Sequence, residues 1–195
     1  MSTWYFVRHG QSVANKEGWL SGHVDTELSP LGLEQAHALT PLLADLPLDE
    51  AHSSDLQRAH QTGLIAMGSH NLSPVPTAAL RERHLGDWEG KRLVSLRKTG
   101  AMDTLLSWEG RPPNGESQHD VGRRILRWMA DQEPQGRRIL FVHGGIIRVI
   151  TGLIDGLDLE EIGRRKVANA TLICKEAHRE SLLALLESPA FTRSR

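Results

Sequence analysis

Short β-prone runs alternate with longer amphipathic stretches along the chain. The first apolar run, 4–7, reads Trp-Tyr-Phe-Val and predicts a buried strand. The Ser-Pro pair at 29–30 supplies an N-cap and a proline for the first helical turn, and apolar residues at helical spacing carry this predicted helix to about residue 45. Such alternation is typical of an α/β fold with a largely parallel sheet.

The rest of the pattern continues this alternation. Strands are predicted over 49–53, 74–80, 138–142, 170–174 and 181–186, and helices over 56–67, 117–131 and 146–154. The segment 90–113 has scattered apolar residues between glycines and prolines, which indicates an irregular helical excursion over the sheet. We therefore expect one α/β domain over 1–195, a three-layer sandwich whose mostly parallel central sheet is flanked by helices on both faces.

Composition removes several functional classes. The chain has 195 residues, with 23 Lys+Arg against 24 Asp+Glu, which argues against nucleic-acid binding by general basicity. No apolar run approaches the ~18 residues that span a bilayer, so we expect no membrane contact and a cytoplasmic location. The single cysteine, Cys174, cannot form an internal disulfide and is expected to be buried in its strand. A homodimer is left open.

Candidate chemistry lies where predicted strands end. Arg8 and His9 follow the first strand, Arg58 begins the helix 56–67, and His143 with Gly144 follows the strand 138–142. Ligands of open α/β sheets bind beyond the carboxyl ends of the strands. Arginine is a forked cationic donor, and glycine, which has no side chain, lets a ligand come close to the backbone. Together these residues indicate a phosphate-sized site. Each also has a structural alternative, such as a strand-end histidine bonded to a carbonyl or a solvent-facing arginine.

Five motifs, taken in order, resemble those of the histidine phosphatase superfamily, the phosphoglycerate mutase-like group. They are Arg8-His9-Gly10, Ser54-Asp55-Leu56-Gln57-Arg58-Ala59, Leu80-Arg81-Glu82 with Gly86-Asp87-Trp88-Glu89-Gly90, Gly115-Glu116-Ser117, and His143-Gly144-Gly145. The resemblance runs from residue 5 to about residue 173. Because five ordered motifs agree, it is far more specific than any one of them.

The resemblance implies a role for each main residue. His9 would attack phosphorus to give a phosphohistidine. Arg8, Arg58 and His143 would surround the equatorial phosphoryl oxygens and hold the charge of the transition state. Glu82 would protonate the leaving group and later activate water. No metal and no other cofactor would then be required.

Further positions are expected around this centre. Gln11, Asn15 and Gly144 are expected to contact the transferred phosphoryl group. Glu116 and Ser117 are expected to orient Arg58 or His9 rather than touch substrate.

The other eight histidines show no spacing typical of a metal site. Two of them, His23 and His84, are expected to face solvent, with a substrate contact as the alternative. Four cationic or titratable residues after the acid could form a basic rim: Arg83, His84, Lys91 and Arg92.

The branch of the family decides the predicted reaction. No long insertion separates Glu82 from Glu116, and the acid segment departs from the pattern of the mutases. We therefore expect hydrolysis of a phosphomonoester of a small metabolite. One alternative is a cofactor-dependent phosphoglycerate mutase. Another is a non-catalytic phosphate-binding or scaffold protein, against which the presence of both His9 and Glu82 argues.

Overall fold

A computed structural model describes residues 1–192. Its five strands form one sheet in the order β3-β2-β4-β1-β5. They span β1 Ser2–Arg8, β2 Glu50–Ser54, β3 Val75–Thr77, β4 Gly136–Val142 and β5 Leu172–Ala177. The first four pair in parallel, whereas β5 runs antiparallel to β1 at the edge.

Helices connect these strands. They span α1 Val13–Glu17, α2 Pro30–Leu43, α3 Gln57–Ala66, α4 Leu93–Arg97, α5 Ala101–Leu106, α6 Gln118–Ala130, α7 Gly144–Ile154, α8 Leu159–Arg164, α9 Arg179–Leu186 and α10 Pro189–Thr192. The Ser-Pro signal is accurate, because Ser29 caps α2 by accepting from the Gly32 amide. None of the helices between residues 1 and 192 combines the length and apolar character needed to cross a bilayer.

Alternating side chains of the central strands feed two cores. Trp4 and Phe6 of β1 face a core built with α6, α7 and α9, whereas Val7 packs with residues of α2 and α3 on the opposite face. Successive side chains of a strand point to opposite faces of the sheet. Because both faces of this sheet are buried, helices must cover both of them. The predicted three-layer sandwich with a mostly parallel sheet is therefore confirmed.

Three expectations about the elements are wrong. The run 181–186 is helical, because Leu182 and Leu186 repeat at helical spacing and α9 packs on α6. The strand predicted over 74–80 is shorter, since β3 is followed by a 3-10 turn, Ala78–Leu80. Cys174 is exposed rather than buried, because it lies on β5 at the edge of the sheet. The excursion over 90–113 contains α4 and α5.

Candidate active site

Two histidines meet at the carboxyl ends of neighbouring strands. His9 follows β1 and His143 follows β4, and the parallel register of these strands places their ends side by side. The ring centroids are 5.1 Å apart. Only 3% of His9 and none of His143 is exposed. The pair therefore forms the floor of a site at the edge where a doubly wound sheet binds ligands.

Hydrogen bonding fixes the tautomer of His9. Its Nδ1 lies 2.6 Å from the Gly10 carbonyl oxygen, which can only accept, so Nδ1 carries the proton and Nε2 keeps its lone pair. Burial, and then the charges of Arg58 and Arg8, hold the pKa of His9 well below its ordinary value. Neutral His9 therefore keeps the Nε2 lone pair available to a ligand.

Gly10 is required here by close packing. A Cβ at this position would lie 2.3 Å from the carbonyl oxygen of Gly32, at the start of α2. The Gly10 amide donates to Thr62 Oγ1 at 3.0 Å, and Asn169 Nδ2 donates to the His9 carbonyl at 3.0 Å. The backbone that carries His9 is therefore held by three separate segments.

The His143 imidazole has no partner on either nitrogen within the described residues. Burial, and then the charges of Arg58, His9 and Arg8, hold its pKa well below the ordinary histidine value. Buried polar nitrogens are almost always paired in proteins. An oxyanion on the Nε2 side of His9 would give this imidazole a partner and would favour its protonated form.

Arg58 enters the site from the first turn of α3. Its Nη2 donates to the Gly22 carbonyl at 2.8 Å and its Nη1 to the Val24 carbonyl at 3.2 Å, whereas its buried Nε has no partner among residues 1–192. Burial lowers the pKa of Arg58, and the charge of Glu82 opposes that effect. The loop 20–25 therefore fixes one edge of the guanidinium and leaves the other for an anion.

Arg8 is held in the same manner. Its Nη1 donates to the carbonyl of Val167, in the segment that leads to β5, and its buried Nε has no partner in the described chain. Burial lowers the pKa of Arg8, and the charge of Glu82 again opposes the shift. Two guanidinium groups thus keep unused donors beside the two imidazoles.

Glu82 reaches this centre from the loop after β3. Its Oε2 accepts from the Gly145 amide at 3.0 Å, and its Oε1 accepts from the Arg83 amide at 2.8 Å. The carboxyl group is therefore held over the amino terminus of α7, next to His143. This position suits a group that exchanges a proton with a ligand bound between the histidines and arginines.

Surrounding residues fix the Glu82 backbone. His23 Nε2 donates to the Glu82 carbonyl at 2.8 Å. His23 is therefore half-buried and has a structural role, contrary to the expectation that it faces solvent. Glu116 accepts from the His84 amide at 2.9 Å and from Arg124 at 3.0 Å. Ser117 caps α6 through Asp120. The expectation that Glu116 and Ser117 orient Arg58 or His9 is therefore wrong, since both act on the acid segment and the helix beside it.

A single carboxylate joins the acid segment to the loop that holds Arg58. Oε1 of Glu89 accepts from the His23 amide at 2.8 Å and from the Leu85 amide at 2.9 Å. Its distance to His84 Nε2 is 3.6 Å. His84 is partly exposed and stacks near His23, with ring centroids 4.7 Å apart. We name these contacts the Glu89 clasp.

The remaining predicted phosphate ligands differ in placement. Asn15 lines the cavity beside the site, and its Oδ1 accepts from Ser12 and Asn169. The side-chain oxygen of Gln11 is instead bonded to Ser29 at 2.8 Å, and Gln11 does not line that cavity. A Cβ on Gly144 would lie 3.2 Å from Arg8 Nε, so this glycine packs directly on the arginine.

Arg83 is buried rather than part of a basic rim, with 3% of its surface exposed. Its three nitrogens donate to the carbonyls of Glu116, Leu105 and Gly110 at 2.7–2.9 Å. Burial lowers its pKa to about 10. Arg83 therefore ties the acid segment to the excursion that contains α5. Lys91 and Arg92 are exposed.

A cavity of about 360 Å³ opens beside the two histidines and Glu82. Arg8, Glu82 and Gly145 are among the residues that line it. Its apolar lining comes from the α1 loop and from α4 and α5: Trp19, Leu20, Leu93, Met102, Leu105 and Leu106. Basic side chains of Arg97, Arg164, Arg165 and Lys166 also line it. The cavity therefore suits the non-phosphoryl part of a ligand.

Several functional groups lie outside the sequence motifs. The carbonyls of Gly22, Val24 and Val167 position the arginines, and backbone carbonyls carry no sequence signal. Arg148 also lines the cavity. Its spacing from Gly145, three residues along one helix, could have identified it. Within residues 1–192, no three His, Cys, Asp or Glu side chains are grouped to hold a metal ion.

The chain is similar to both phosphatases and mutases. It is 30% identical over 194 residues to a protein of Hydrogenobacter thermophilus named as a phosphoserine phosphatase, covering 95% of each chain. It is 33% identical to a 2,3-bisphosphoglycerate-dependent phosphoglycerate mutase of Chelativorans sp., covering 95% of this chain and 97% of the mutase.

Solved structures agree with these relatives. A mycobacterial glucosyl-3-phosphoglycerate phosphatase in complex with VO3 superposes with a TM-score of 0.82 at 29% identity, covering 89% of this chain and 92% of that one. The family model of the histidine phosphatase superfamily, branch 1, matches residues 4–186. With the two histidines, two arginines and a glutamate assembled at one sheet edge, the chain belongs to this superfamily.

Proposed function

We propose that this protein hydrolyses a phosphomonoester of a small metabolite, without a metal ion, through a phosphohistidine on His9. The observation that supports this most directly is the tautomer of His9, whose Nδ1 is bonded to the Gly10 carbonyl so that Nε2 is free to attack. Arg8, Arg58 and His143, which lie at the same site as His9, each have a side-chain nitrogen without a partner within residues 1–192. Phosphoryl transfer requires mainly such positioning and charge stabilisation.

In the first half-reaction, the lone pair of His9 Nε2 attacks phosphorus in line with the ester oxygen. The N–P bond forms as the P–O bond to the leaving group breaks. The carboxyl proton of Glu82 passes to the departing oxygen, so the product leaves as a neutral alcohol and Glu82 becomes a carboxylate. The two arginines hold the equatorial oxygens, and their charge stabilises the transition state.

In the second half-reaction, water takes the place of the alcohol. The Glu82 carboxylate accepts one water proton as the oxygen attacks phosphorus and the N–P bond breaks. Phosphate leaves, His9 returns to the neutral form, and Glu82 is protonated again. Atoms and charges balance with water as the only co-reactant. The VO3 complex of the mycobacterial relative supports an oxyanion pocket in this fold.

The proposal is tested by His9→Ala, with His37→Ala as a matched control because His37 is exposed on α2. Wild type and the control should release phosphate from 4-nitrophenyl phosphate in excess chelator and should yield acid-labile protein-bound phosphate. His9→Ala should lose both properties. Full chelator-resistant activity in His9→Ala would contradict the proposal.

A phosphoglycerate mutase is the second candidate, because the Chelativorans relative carries that name. The two activities differ in the acceptor of the phosphoryl group. Phosphorus NMR of a reaction with 3-phosphoglycerate and a trace of 2,3-bisphosphoglycerate distinguishes them: a hydrolase accumulates inorganic phosphate, whereas a mutase forms 2-phosphoglycerate without release. The cytoplasmic location and the homodimer stay predictions.

A further inference from the structure

Arg148 is a cation of the cavity without a protein partner. It lies on α7 and lines the cavity, and its Nε is buried. Across residues 1–192 its guanidinium makes no hydrogen bond or ion pair. Buried polar atoms are normally hydrogen-bonded, so a buried Nε without a partner is unusual. The side chain therefore has unused capacity for an anion.

Two other arginines that line the cavity, Arg83 and Arg165, have protein partners. The three guanidinium nitrogens of Arg83 donate hydrogen bonds to three carbonyl oxygens. Arg165 donates to Thr151 Oγ1 at 3.0 Å and lies 3.6 Å from Asp155. Burial lowers the pKa of Arg148, and the charge of Glu82 opposes this shift. Glu82 itself is bonded to the amides of Gly145 and Arg83, so it does not serve Arg148 as a hydrogen-bond partner.

Helix geometry places Arg148 relative to the reacting centre. Gly145 and Arg148 are three residues apart on α7, so they share a face and are separated by about 4.5 Å along the axis. Gly145 binds Glu82, the proposed proton donor to the leaving group. An anionic group held by Arg148 would therefore lie on the side of the site where the leaving group binds. In the substrate, it would be a few covalent bonds away from the ester oxygen.

We propose that Arg148 binds a second anionic group of the substrate, a carboxylate or a further phosphate carried on the leaving group. The substrate class is then a phosphomonoester whose carbon skeleton contacts the apolar walls while its second anion reaches the α7 guanidinium. This proposal rests on the proposed hydrolase function and names the class of molecule that the site selects.

Matched substrate pairs test it. Glycerol 3-phosphate replaces the carboxylate of 3-phosphoglycerate by a hydroxymethyl group, and fructose 6-phosphate lacks one phosphate of fructose 1,6-bisphosphate. Wild type should prefer the more anionic member of at least one pair by tenfold or more in kcat/KM, as a charge-assisted pair provides. The preferred pair distinguishes carboxylate from phosphate.

Arg148→Met should reduce that preference to about one. Arg127→Met, an exposed arginine of α6, is the matched control and should keep it. Arg148→Lys retains the charge but not the fork, so its preference should fall severalfold, which serves as the test if the methionine variant does not fold. No preference in wild type, its survival in Arg148→Met, or an equal loss for both members of the pair would overturn the proposal.

The two proposals fail separately. If wild type hydrolyses 4-nitrophenyl phosphate but shows no preference within either pair, only the role of Arg148 is wrong. If wild type hydrolyses nothing, the hydrolase proposal is wrong. The role of Arg148 is then tested by calorimetry, which measures the binding of 3-phosphoglycerate and of glycerol 3-phosphate to wild type and to Arg148→Met. The ratio of the two affinities in each protein replaces the ratio of kcat/KM values.

Discussion

The Gly145 amide donates to Glu82 Oε2 at 3.0 Å and thereby joins the acid segment to the helix that follows His143. The contact is close on all sides. A Cβ added to Gly145 would lie 2.2 Å from Glu82 Oε1 and 3.0 Å from its Cδ. The Glu82 carboxyl group can therefore occupy this position only because the second residue after His143 is a glycine.

Gly145→Ala should therefore move Glu82 while leaving the fold intact, because the displaced atoms belong to the end of a flexible side chain. We expect kcat to fall about 10- to 100-fold, which is part of the roughly 10²- to 10⁴-fold that general acid catalysis contributes. Steady-state kinetics together with thermal melting check this. Wild-type kcat in a folded Gly145→Ala protein would show that this contact is irrelevant to catalysis.

Stability should fall in mildly acidic solution. His9 and His143 have pKa values well below the ordinary 6.5 in the folded protein, chiefly because they are buried. The unfolded chain therefore binds protons below about pH 6.5 that the folded chain does not. Their contribution to stability is complete above that pH and is lost as the pH falls toward the folded pKa, by up to about 1.4 kcal/mol per pH unit for each histidine.

Urea unfolding between about pH 7.5 and 5.5 measures this slope. His143→Gln stays neutral throughout, so the slope should be smaller in that variant than in wild type. A free energy of unfolding that is independent of pH in wild type over this range would contradict the expected neutrality of both imidazoles.

Loss of the Glu89 clasp should impair catalysis at a distance. Glu89→Ala leaves the amides of His23 and Leu85 without their acceptor and frees the loop whose Gly22 carbonyl holds Arg58. We expect kcat/KM to fall about tenfold, since each unmade hydrogen bond to a charged group is worth about 1.5–3 kcal/mol. Glu89→Gln keeps an oxygen acceptor and should retain most activity. Equal losses in both variants would point to the charge instead of the hydrogen bonds.

Replacement of Arg83 should affect the fold more than the chemistry. Arg83→Met leaves three carbonyls without donors, on Glu116, Leu105 and Gly110. We expect the free energy of unfolding to fall by about 2–4 kcal/mol. Denaturant titration checks this, with Arg127→Met expected to remain within about 0.5 kcal/mol of wild type as an exposed control. A fall below 1 kcal/mol would mean that water replaces the guanidinium at little cost.

Much of the fold was predictable because its signals are local. The apolar run at β1 and the Ser29 N-cap of α2 each act within a few residues, and both predictions match the structure. The run 181–186 was misassigned because short apolar stretches suit either a strand or a helix. Packing on α6 decides the matter, and packing is not local.

The site divides in the same way. His9 and His143 follow strands directly, and Arg58 lies in the first turn of the helix after another strand, so the sequence predicts that they meet. The partners that aim them are carbonyls of Gly22 and Val167, which any residue could supply. Glu116 was given the wrong partner, because its contact to Arg124 depends on the path of the chain around α6.

The order of the strands also bears on how the protein is made. β4 lies between β1 and β2, so the two earlier strands have no edge in common and cannot pair with each other in the native register. His9 and Arg58 are synthesised long before the strand that brings them together. On a ribosome, the chain therefore assembles the site of His9, Arg58 and His143 only after residue 143 has emerged. Pairing over such sequence separation is slow to nucleate, so competence to bind phosphate should arise late and all at once.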